Sequence, residues 1–145
     1  MRLTLHTDYA LRLLTYLALK PNDVATIRDV AETYGISRNH LVKIADGLRH
    51  AGFVDTQRGR GGGLRLARPA HAIGIGAVVR AMEEDLNLVE CFDPQTDRCR
   101  IGPSCRLKHL LHEALDAWLA VLDKATLADL VERPKPLRRL LELST

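Results

Sequence analysis

Residues 58–63 read RGRGGG and separate two short segments, residues 53–57 and 64–67, whose composition is typical of β-strands. Four glycines in six residues connect the strands as a flexible hairpin tip, in which the backbone can approach a phosphate or a narrow groove while Arg58 and Arg60 reach inward. A mononucleotide-binding loop is excluded, because no GK[ST] follows and the next element is a strand. This hairpin limits the chain to folds that present a basic loop at the surface.

Two helices joined by a tight turn are predicted directly before the hairpin. Thr26 and Asp29 have capping-box spacing and begin a short helix through Tyr34, and Gly35 is suited to end it in a left-handed conformation. Ser37 then caps a third helix. Its apolar positions are Leu41, Ile44, Ala45 and Leu48, and its other side carries Arg38, Asn39, His40 and Lys43. This arrangement predicts a helix-turn-helix.

A first helix is predicted at the amino terminus, with Thr7 as its N-cap and apolar residues at helical spacing until Pro21. Asp8 lies in its opening turn, where the helix dipole favours an acid. Capping is therefore the ordinary interpretation of Asp8.

Charge is distributed unevenly along a chain whose net charge is +3. Residues 1–70 contain eleven Lys and Arg against six Asp and Glu, whereas residues 71–145 contain ten against twelve. A solvated face is the ordinary interpretation of the polar side of the third helix, but a helix-turn-helix followed by a basic hairpin is the winged-helix arrangement. We therefore predict double-stranded DNA as partner, with the third helix in the major groove and the hairpin on the minor groove or phosphates. The predicted contacts are Arg38, Asn39, His40, Lys43, Arg58 and Arg60.

The second half of the chain is dominated by one long amphipathic helix. A fourth helix over residues 75–83 precedes it, and Pro103 or Ser104 is predicted to open it. Its apolar stripe is Leu107, Leu110, Leu111, Ala114, Leu115, Trp118, Leu119 and Leu122. We expect this stripe to pair with a second copy in a twofold dimer that reads a palindrome, the alternative being a core helix. Thr126 and Asp129 begin a short helix, and an amphipathic tail is expected to fray.

All three cysteines lie within fifteen residues, at Cys91, Cys99 and Cys105. Thiolates select iron–sulfur clusters, zinc or copper(I), and gaps of seven and five residues suit a cluster better than structural zinc. The alternatives are unrelated buried thiols or one disulfide with a spare thiol. An odd cysteine count in a cytosolic chain favours metal, and three sulfurs leave one position of a four-coordinate centre for another ligand.

The predicted fold class is mainly α, a winged helix-turn-helix with a small β-hairpin wing plus a long dimerisation helix. Residues 1–70 are the predicted DNA-binding domain, 71–103 the connecting helix and cysteine loop, and 104–145 the dimerisation helix and tail. No apolar run reaches membrane-spanning length and no signal peptide is recognisable, so a cytoplasmic protein without membrane association is expected. No catalytic residues are predicted.

Three stretches together resemble the Rrf2 family of winged-helix regulators, and most of all its nitric-oxide-sensing, NsrR-type branch. They are MRLTLHTDYALRLLTYLA, YGISRNHLVKIADGLRHAGFVDTQRGRGGGLRLARP and the cysteine loop. The resemblance covers nearly the whole chain, and the wing RGRGGGLRLARP is its most specific part. It implies a homodimer on a palindromic operator, with one iron–sulfur cluster per subunit held by Cys91, Cys99 and Cys105.

The same resemblance points to the remaining cluster ligand. In the nitric-oxide branch it can be an acid near the start of the first helix of the other subunit, and the matching residue is Asp8. The branch that regulates cluster assembly has a histidine three residues after its last cysteine. Lys108 occupies that place here and His109 follows it, so His109 ranks second. A 4Fe-4S cluster is favoured, with 2Fe-2S as the alternative.

The predicted function is a transcriptional repressor that senses nitric oxide through its cluster, whose nitrosylation releases the operator. The alternative is an iron- or redox-responsive regulator that uses the same cysteines as a cluster or a thiol switch. An enzyme is not expected, because the sequence has no substrate-pocket motif, nucleotide loop or catalytic acid–base pair.

Overall fold

The computed structural model describes residues 1–20 and 24–143 and arranges them as seven α-helices and one β-hairpin. In chain order the elements are α1 (Leu5–Leu19), α2 (Ile27–Tyr34), α3 (Arg38–His50), β1 (Val54–Gln57), β2 (Gly63–Leu66), α4 (Ile75–Met82), α5 (Arg106–Asp123), α6 (Leu127–Leu130) and α7 (Pro134–Leu140). Single 3₁₀ turns lie at Ala70–Ala72, Glu90–Phe92 and Gly102–Ser104. The predicted class, a mainly helical winged helix-turn-helix with a small hairpin, is confirmed.

Helix α1 begins one turn earlier than predicted. Thr4, not Thr7, is its N-cap: the Thr4 hydroxyl accepts a hydrogen bond from the backbone N–H of Thr7 at 3.3 Å, and Thr7 itself is fully buried. The Thr4 backbone N–H donates to Oε1 of Glu83 at 2.8 Å, which fixes the capping residue from a distant part of the chain. Asp8 lies in the first turn as expected, whereas Pro21 falls outside the described residues.

The predicted helix-turn-helix is present. Thr26 and Asp29 form a reciprocal capping box, Gly35 ends α2 with a left-handed φ of 65°, and Ser37 caps α3. The hydrogen bond from the Thr26 backbone N–H to the Asp29 carboxylate is the main cause of a lowered pKa for Asp29. Local sequence signals therefore place both helices correctly.

We expect Asp29→Ala to lower the free energy of unfolding by roughly 1 kcal/mol at pH 7, because it removes the acceptor for the Thr26 N–H and a negative charge at a helix N-terminus. The pKa of Asp29 is lowered in the folded state, so its contribution is present above its ordinary pKa and is lost as the pH falls through the folded value. Urea unfolding at pH 7 and near pH 2.5 tests this. Asp116→Ala, at an exposed site of α5, is the matched control; equal losses in both variants at pH 7 would contradict the prediction.

The wing is an antiparallel pair of β1 and β2 in which Val54 lies opposite Leu66 and Gln57 opposite Gly63. Its base is hydrogen-bonded to Ala25, the residue before the N-cap of α2: Leu64 N–H donates to Ala25 O at 2.7 Å, and Ala25 N–H donates to Leu64 O at 3.0 Å. The wing and the helix-turn-helix are thus joined by backbone hydrogen bonds.

The core lies around α1, which contacts α3, α4, α6, α7 and β2. Leu13 and Leu14 from α1 and Leu41, Ile44 and Leu48 from α3 are fully buried. Burial of these side chains is the main stabilising contribution to the helix-turn-helix domain. Among the described residues, no helix combines the length and apolarity that crossing a bilayer requires.

The carboxyl end of α5 is fixed to the start of α4. The backbone N–H of Ile75 donates to Ala125 O at 2.9 Å, and that of Leu127 donates to Ile73 O at 2.8 Å. These bonds connect the segment that follows α5 to the segment that enters α4.

A bidentate ion pair strengthens this connection. The Arg80 guanidinium in α4 donates to both carboxylate oxygens of Asp123 in α5, at 2.6 and 2.8 Å. A Cβ at Gly76 would collide with the Asp123 carboxylate, so a side chain there would displace this carboxylate from its present position beside Arg80. The hydrogen bond from Arg80 is the main cause of a lowered pKa for Asp123.

The predicted start of α5 at Pro103 or Ser104 is wrong by two or three residues. Those residues form the 3₁₀ turn Gly102–Ser104, and α5 begins at Arg106. Cys105 has extended backbone angles, φ −80° and ψ 108°, so the α-helical ladder begins only after it.

Only part of the apolar stripe of α5 is covered within one chain. Leu115 and Leu119 are buried, whereas Leu107 and Leu110 are each 60% exposed. The amino-terminal half of α5 therefore presents large apolar side chains to its surroundings.

The carboxyl-terminal tail is ordered as α7 instead of frayed. Arg138 Nε donates to Leu19 O at 3.0 Å, and Leu141 packs against the core. The last two residues, 144–145, lie outside the described part of the chain. The tail thus contributes to the fold by covering the end of α1.

Candidate nucleic-acid interface and cysteine loop

Helix α3 presents an exposed polar face at its amino-terminal end. The Ser37 hydroxyl accepts from His40 N–H at 3.5 Å and starts the helix, which places Arg38, Asn39 and Lys43 at the surface. Side chains that donate and accept hydrogen bonds at the start of a recognition helix are suited to base edges in the major groove.

Arg38 takes part in a shared ion pair. Its guanidinium lies 3.6 Å from Oε1 of Glu32, and the same oxygen accepts from Arg28 Nε at 2.8 Å. Because Glu32 is also paired with Arg28, Arg38 can turn toward a phosphate or base without leaving a carboxylate unpaired.

His40 is placed differently from its neighbours. Its ring is half-buried, with its centroid 5.2 Å from that of Tyr9 and 6.2 Å from that of His6, both in α1. The residue therefore contacts the first helix as well as the reading face.

The sequence analysis predicted only polar side chains on this face of α3, but the apolar Val42 is exposed there as well. It is 55% exposed and lies between the predicted contacts Asn39 and Lys43 along α3. The sequence does indicate that Val42 is exposed, because it does not belong to the apolar stripe of α3 that faces the core.

The wing tip exposes both predicted arginines. Arg58 and Arg60 alternate with Gly59 and Gly61, whose φ angles of 97° and 75° require glycine. A Cβ at Gly62 would collide with the carbonyl of the last residue of β1. The glycines thus fix the loop conformation, and both arginines on it are exposed.

The cysteine loop, residues 91–105, carries three free thiols. Cys91 lies in the 3₁₀ turn Glu90–Phe92, Cys99 is exposed, and Cys105 is the N-cap of α5. The Cys105 Sγ accepts the backbone N–H of Lys108 at 3.4 Å.

Two acidic side chains, Glu90 and Asp97, accept hydrogen bonds from the backbone of this loop. Glu90, next to Cys91, accepts the backbone N–H of Arg98 at 3.3 Å, and its carbonyl accepts the Thr96 hydroxyl at 2.8 Å. Asp97 accepts the backbone N–H of Cys99 at 3.0 Å. Glu90 therefore joins the segment of Cys91 to that of Cys99, and Asp97 forms a local turn at Cys99.

An aromatic stack attaches the loop to the long helix. The rings of Phe92 and His112 lie 3.7 Å apart and are nearly parallel, with an interplanar angle of 5°. Phe92 follows Cys91 directly, so this contact fixes the first cysteine relative to α5.

The donor set fits a thiolate-selective metal group. Three reduced thiols on one polar loop are soft ligands of the kind that iron–sulfur clusters use. Within the described part of a single chain, no three His, Cys, Asp or Glu side chains converge on one point. Full coordination therefore needs a rearranged loop, a residue from another chain, or both.

The two candidates for the remaining ligand are both accessible. Asp8 is 40% exposed and pairs with Arg12 at 2.8 Å, and this hydrogen bond is the main cause of a raised pKa for Arg12. His109 is exposed on α5, directly after Lys108.

Comparison with known proteins places this arrangement among transcriptional regulators. The family described as "Rrf2: Iron-dependent Transcriptional regulator" matches residues 3–133. The HTH-type transcriptional regulator NsrR of Bacillus subtilis (strain 168) is 51% identical over 144 residues, covering 99% of both chains. The relatives are named as regulators, not enzymes, in agreement with the expectation from the sequence.

Solved structures give the same fold. CymR (YrzC), the global cysteine regulator of B. subtilis, superposes with a TM-score of 0.72 at 26% identity, over 91% of this chain and 97% of that one. T. potens IscR superposes with a TM-score of 0.76 at 24% identity, over 95% and 91%, and supports the fold alone.

Proposed function

Because this chain belongs to the Rrf2 family of transcriptional regulators, we propose that it is a cytoplasmic DNA-binding repressor that senses nitric oxide through an iron–sulfur cluster. The regulator named NsrR that it resembles over its full length is the basis for the choice within the family. No residue performs catalysis in this proposal. The output is a change in affinity for DNA.

DNA is read by the winged helix. Arg38, Asn39, His40 and Lys43 enter the major groove, and Arg58 and Arg60 contact the adjacent minor groove or phosphates. The exposed positions of both arginines on a glycine-rich tip support this assignment. The uncovered apolar face of α5 pairs with a second copy, so that two reading heads about 34 Å apart match a palindromic operator.

Cys91, Cys99 and Cys105 would hold the cluster, with the partner subunit's Asp8 as the remaining ligand and His109 as the second candidate. We favour a 4Fe-4S over a 2Fe-2S cluster. When bound, the cluster supplies iron sites with which nitric oxide reacts. The protein supplies the soft thiolates and one exchangeable oxygen ligand.

The chain also provides a physical connection from the loop to the reading head. Cys105 caps the amino-terminal end of α5, whose other end is fixed to α4 by the Arg80–Asp123 pair. Glu83, where the chain leaves α4 toward the loop, binds the N-cap of α1. We expect a change in loop conformation to reach α4 and the amino-terminal end of α1 through these contacts.

The main support for the proposal is that all three thiols lie on one loop. A hydrogen bond between Glu90 and Arg98 joins two parts of this loop, and the hydrogen bond between Cys105 and Lys108 joins it to the start of α5. Three ligands on one segment bind one centre with little further loss of chain entropy.

Anaerobic purification followed by iron and sulfide analysis and native mass spectrometry tests this proposal. We expect a dimer that carries one cluster per subunit and absorbs visible light. A colourless dimer without iron or sulfide, even after anaerobic reconstitution, would contradict the cluster assignment.

A second candidate is an iron- or redox-responsive regulator that uses the same cysteines. The family description as iron-dependent and the exposed thiol of Cys99 favour it. Under this alternative, operator affinity follows iron supply or thiol oxidation and does not change when nitric oxide is added to the loaded protein.

A further inference from the structure

Lys108 and Asp97 form an ion pair within the cysteine region, with Nζ and Oδ2 3.3 Å apart. Their side chains are 27% and 23% exposed. The Arg80–Asp123 pair, by comparison, is 43% and 46% exposed, and the Arg12–Asp8 pair 44% and 40%. Among the described residues, Lys108–Asp97 is the least exposed ion pair, so solvent weakens it less than the others.

Asp97 contacts the segment of Cys99 at the same time. Its Oδ1 accepts the backbone N–H of Cys99 at 3.0 Å while its Oδ2 faces Lys108. The carboxylate also lies beneath the turn at Gly102, where an added Cβ would be 3.6 Å from Oδ2. The Asp97 side chain therefore occupies the interior of the loop between the second and third cysteines.

Lys108 makes the matching contact with the third cysteine. Its backbone N–H donates to Cys105 Sγ at 3.4 Å, and its ammonium group reaches back across eleven residues to Asp97. One lysine thus contacts the sulfur of Cys105 through its backbone and the Cys99 segment through its side chain.

We propose that Asp97 and Lys108 are positioning residues that set the separation of Cys99 and Cys105 for binding a common metal centre. This inference rests on the proposed function, because it assumes that both cysteines are ligands. Neither residue is a ligand in this account. The pair acts by joining the segments of two cysteines in a glycine- and proline-containing loop before the metal arrives, which lowers the cost of ordering their thiols.

The test compares Lys108→Met, which removes the charge and keeps the aliphatic stem, with the conservative variant Lys108→Arg. Lys124→Met, at the far end of α5, is the matched control. In anaerobic competition with an iron chelator, Lys108→Met is expected to retain iron about 10-fold less well than wild type, whereas the other two variants retain it normally. Asp97→Asn is expected to behave like Lys108→Met.

A second measurement uses metal-free, reduced protein. Maleimide alkylation mapped by peptide mass spectrometry should show Cys105 reacting roughly two- to fivefold faster in Lys108→Met than in wild type, the ratio expected for losing a pair of this exposure. Cys91 should be unchanged, and thermal unfolding midpoints should match, since the pair is remote from the core.

The experiments distinguish failure of the positioning role from failure of the proposed function. Iron retention and cysteine alkylation equal to wild type in Lys108→Met, with wild type holding iron, would overturn the positioning role alone. Wild-type protein that binds no iron would overturn the proposed function and the positioning role together.

Discussion

Replacement of Cys99 by serine is expected to abolish iron and sulfide binding and the visible absorbance of anaerobically purified protein. A serine hydroxyl is a hard, protonated group at neutral pH and cannot replace a thiolate in the soft coordination of iron. Cys99 is exposed, and its described hydrogen bonds, to Asp97 and Gly102, both involve its backbone. The variant should therefore fold normally and lose only the metal, together with the response of DNA binding to nitric oxide.

Ser104→Ala is the control for this experiment, because it changes an exposed side chain of the same loop that is not a predicted ligand. Iron content and spectrum should be unaffected. A Cys99→Ser protein with a full complement of iron and sulfide would remove Cys99 from the ligand set.

The second large effect is expected at the wing, where Arg58→Ala and Arg60→Ala are combined. Each arginine that reads a groove or phosphate contributes about 1–3 kcal/mol, so the double variant should lose about 2–6 kcal/mol and bind roughly 30- to 20,000-fold more weakly. Each lost phosphate contact should also lower the slope of log affinity against log salt by about 0.9. Fluorescence anisotropy at several salt concentrations, on a duplex selected from a random pool with wild-type protein, measures both quantities.

Arg133→Ala combined with Arg139→Ala is the matched control. Both are exposed arginines near the carboxyl terminus, and their removal changes the net charge by the same amount. An equal loss of affinity in the two double variants would show that overall charge, and not the wing, governs binding.

Much of the winged helix is predictable because its signals are local. The capping box of Thr26 and Asp29, the left-handed Gly35 and the apolar stripe of α3 each involve neighbours within a few residues. The glycine-rich tip likewise follows from backbone conformation alone. The family membership inferred from these segments is confirmed by 51% identity to a regulator over nearly the whole chain.

The incorrect predictions concern local structure that depends on contacts with residues distant in the sequence. Thr4 and Thr7 are both suitable N-caps, and the hydrogen bonds between Thr4 and Glu83, 79 residues away, settle the choice. The tail forms helix α7, which is stabilised by the hydrogen bond from Arg138 to the Leu19 carbonyl at the end of α1. No short-range pattern reports either contact.

The cysteine loop is an intermediate case. The residue types and spacing identify its chemistry, but its supporting contacts depend on folding. The Phe92–His112 stack and the Asp97–Lys108 pair join the irregular loop to α5 across 20 and 11 positions, where no periodicity predicts proximity. The choice of Asp8 over His109 as the remaining ligand stays a prediction, because Asp8 would come from a second chain.

Titration of anaerobic, iron-loaded protein with nitric oxide, followed by anisotropy of the selected palindromic duplex, tests the coupling of metal site and DNA binding most directly. We predict that affinity falls by roughly 5- to 150-fold, the usual range for coupling between two sites, and that Cys99→Ser protein shows no response. Unchanged affinity of the loaded protein, with its absorbance altered by nitric oxide, would contradict the account.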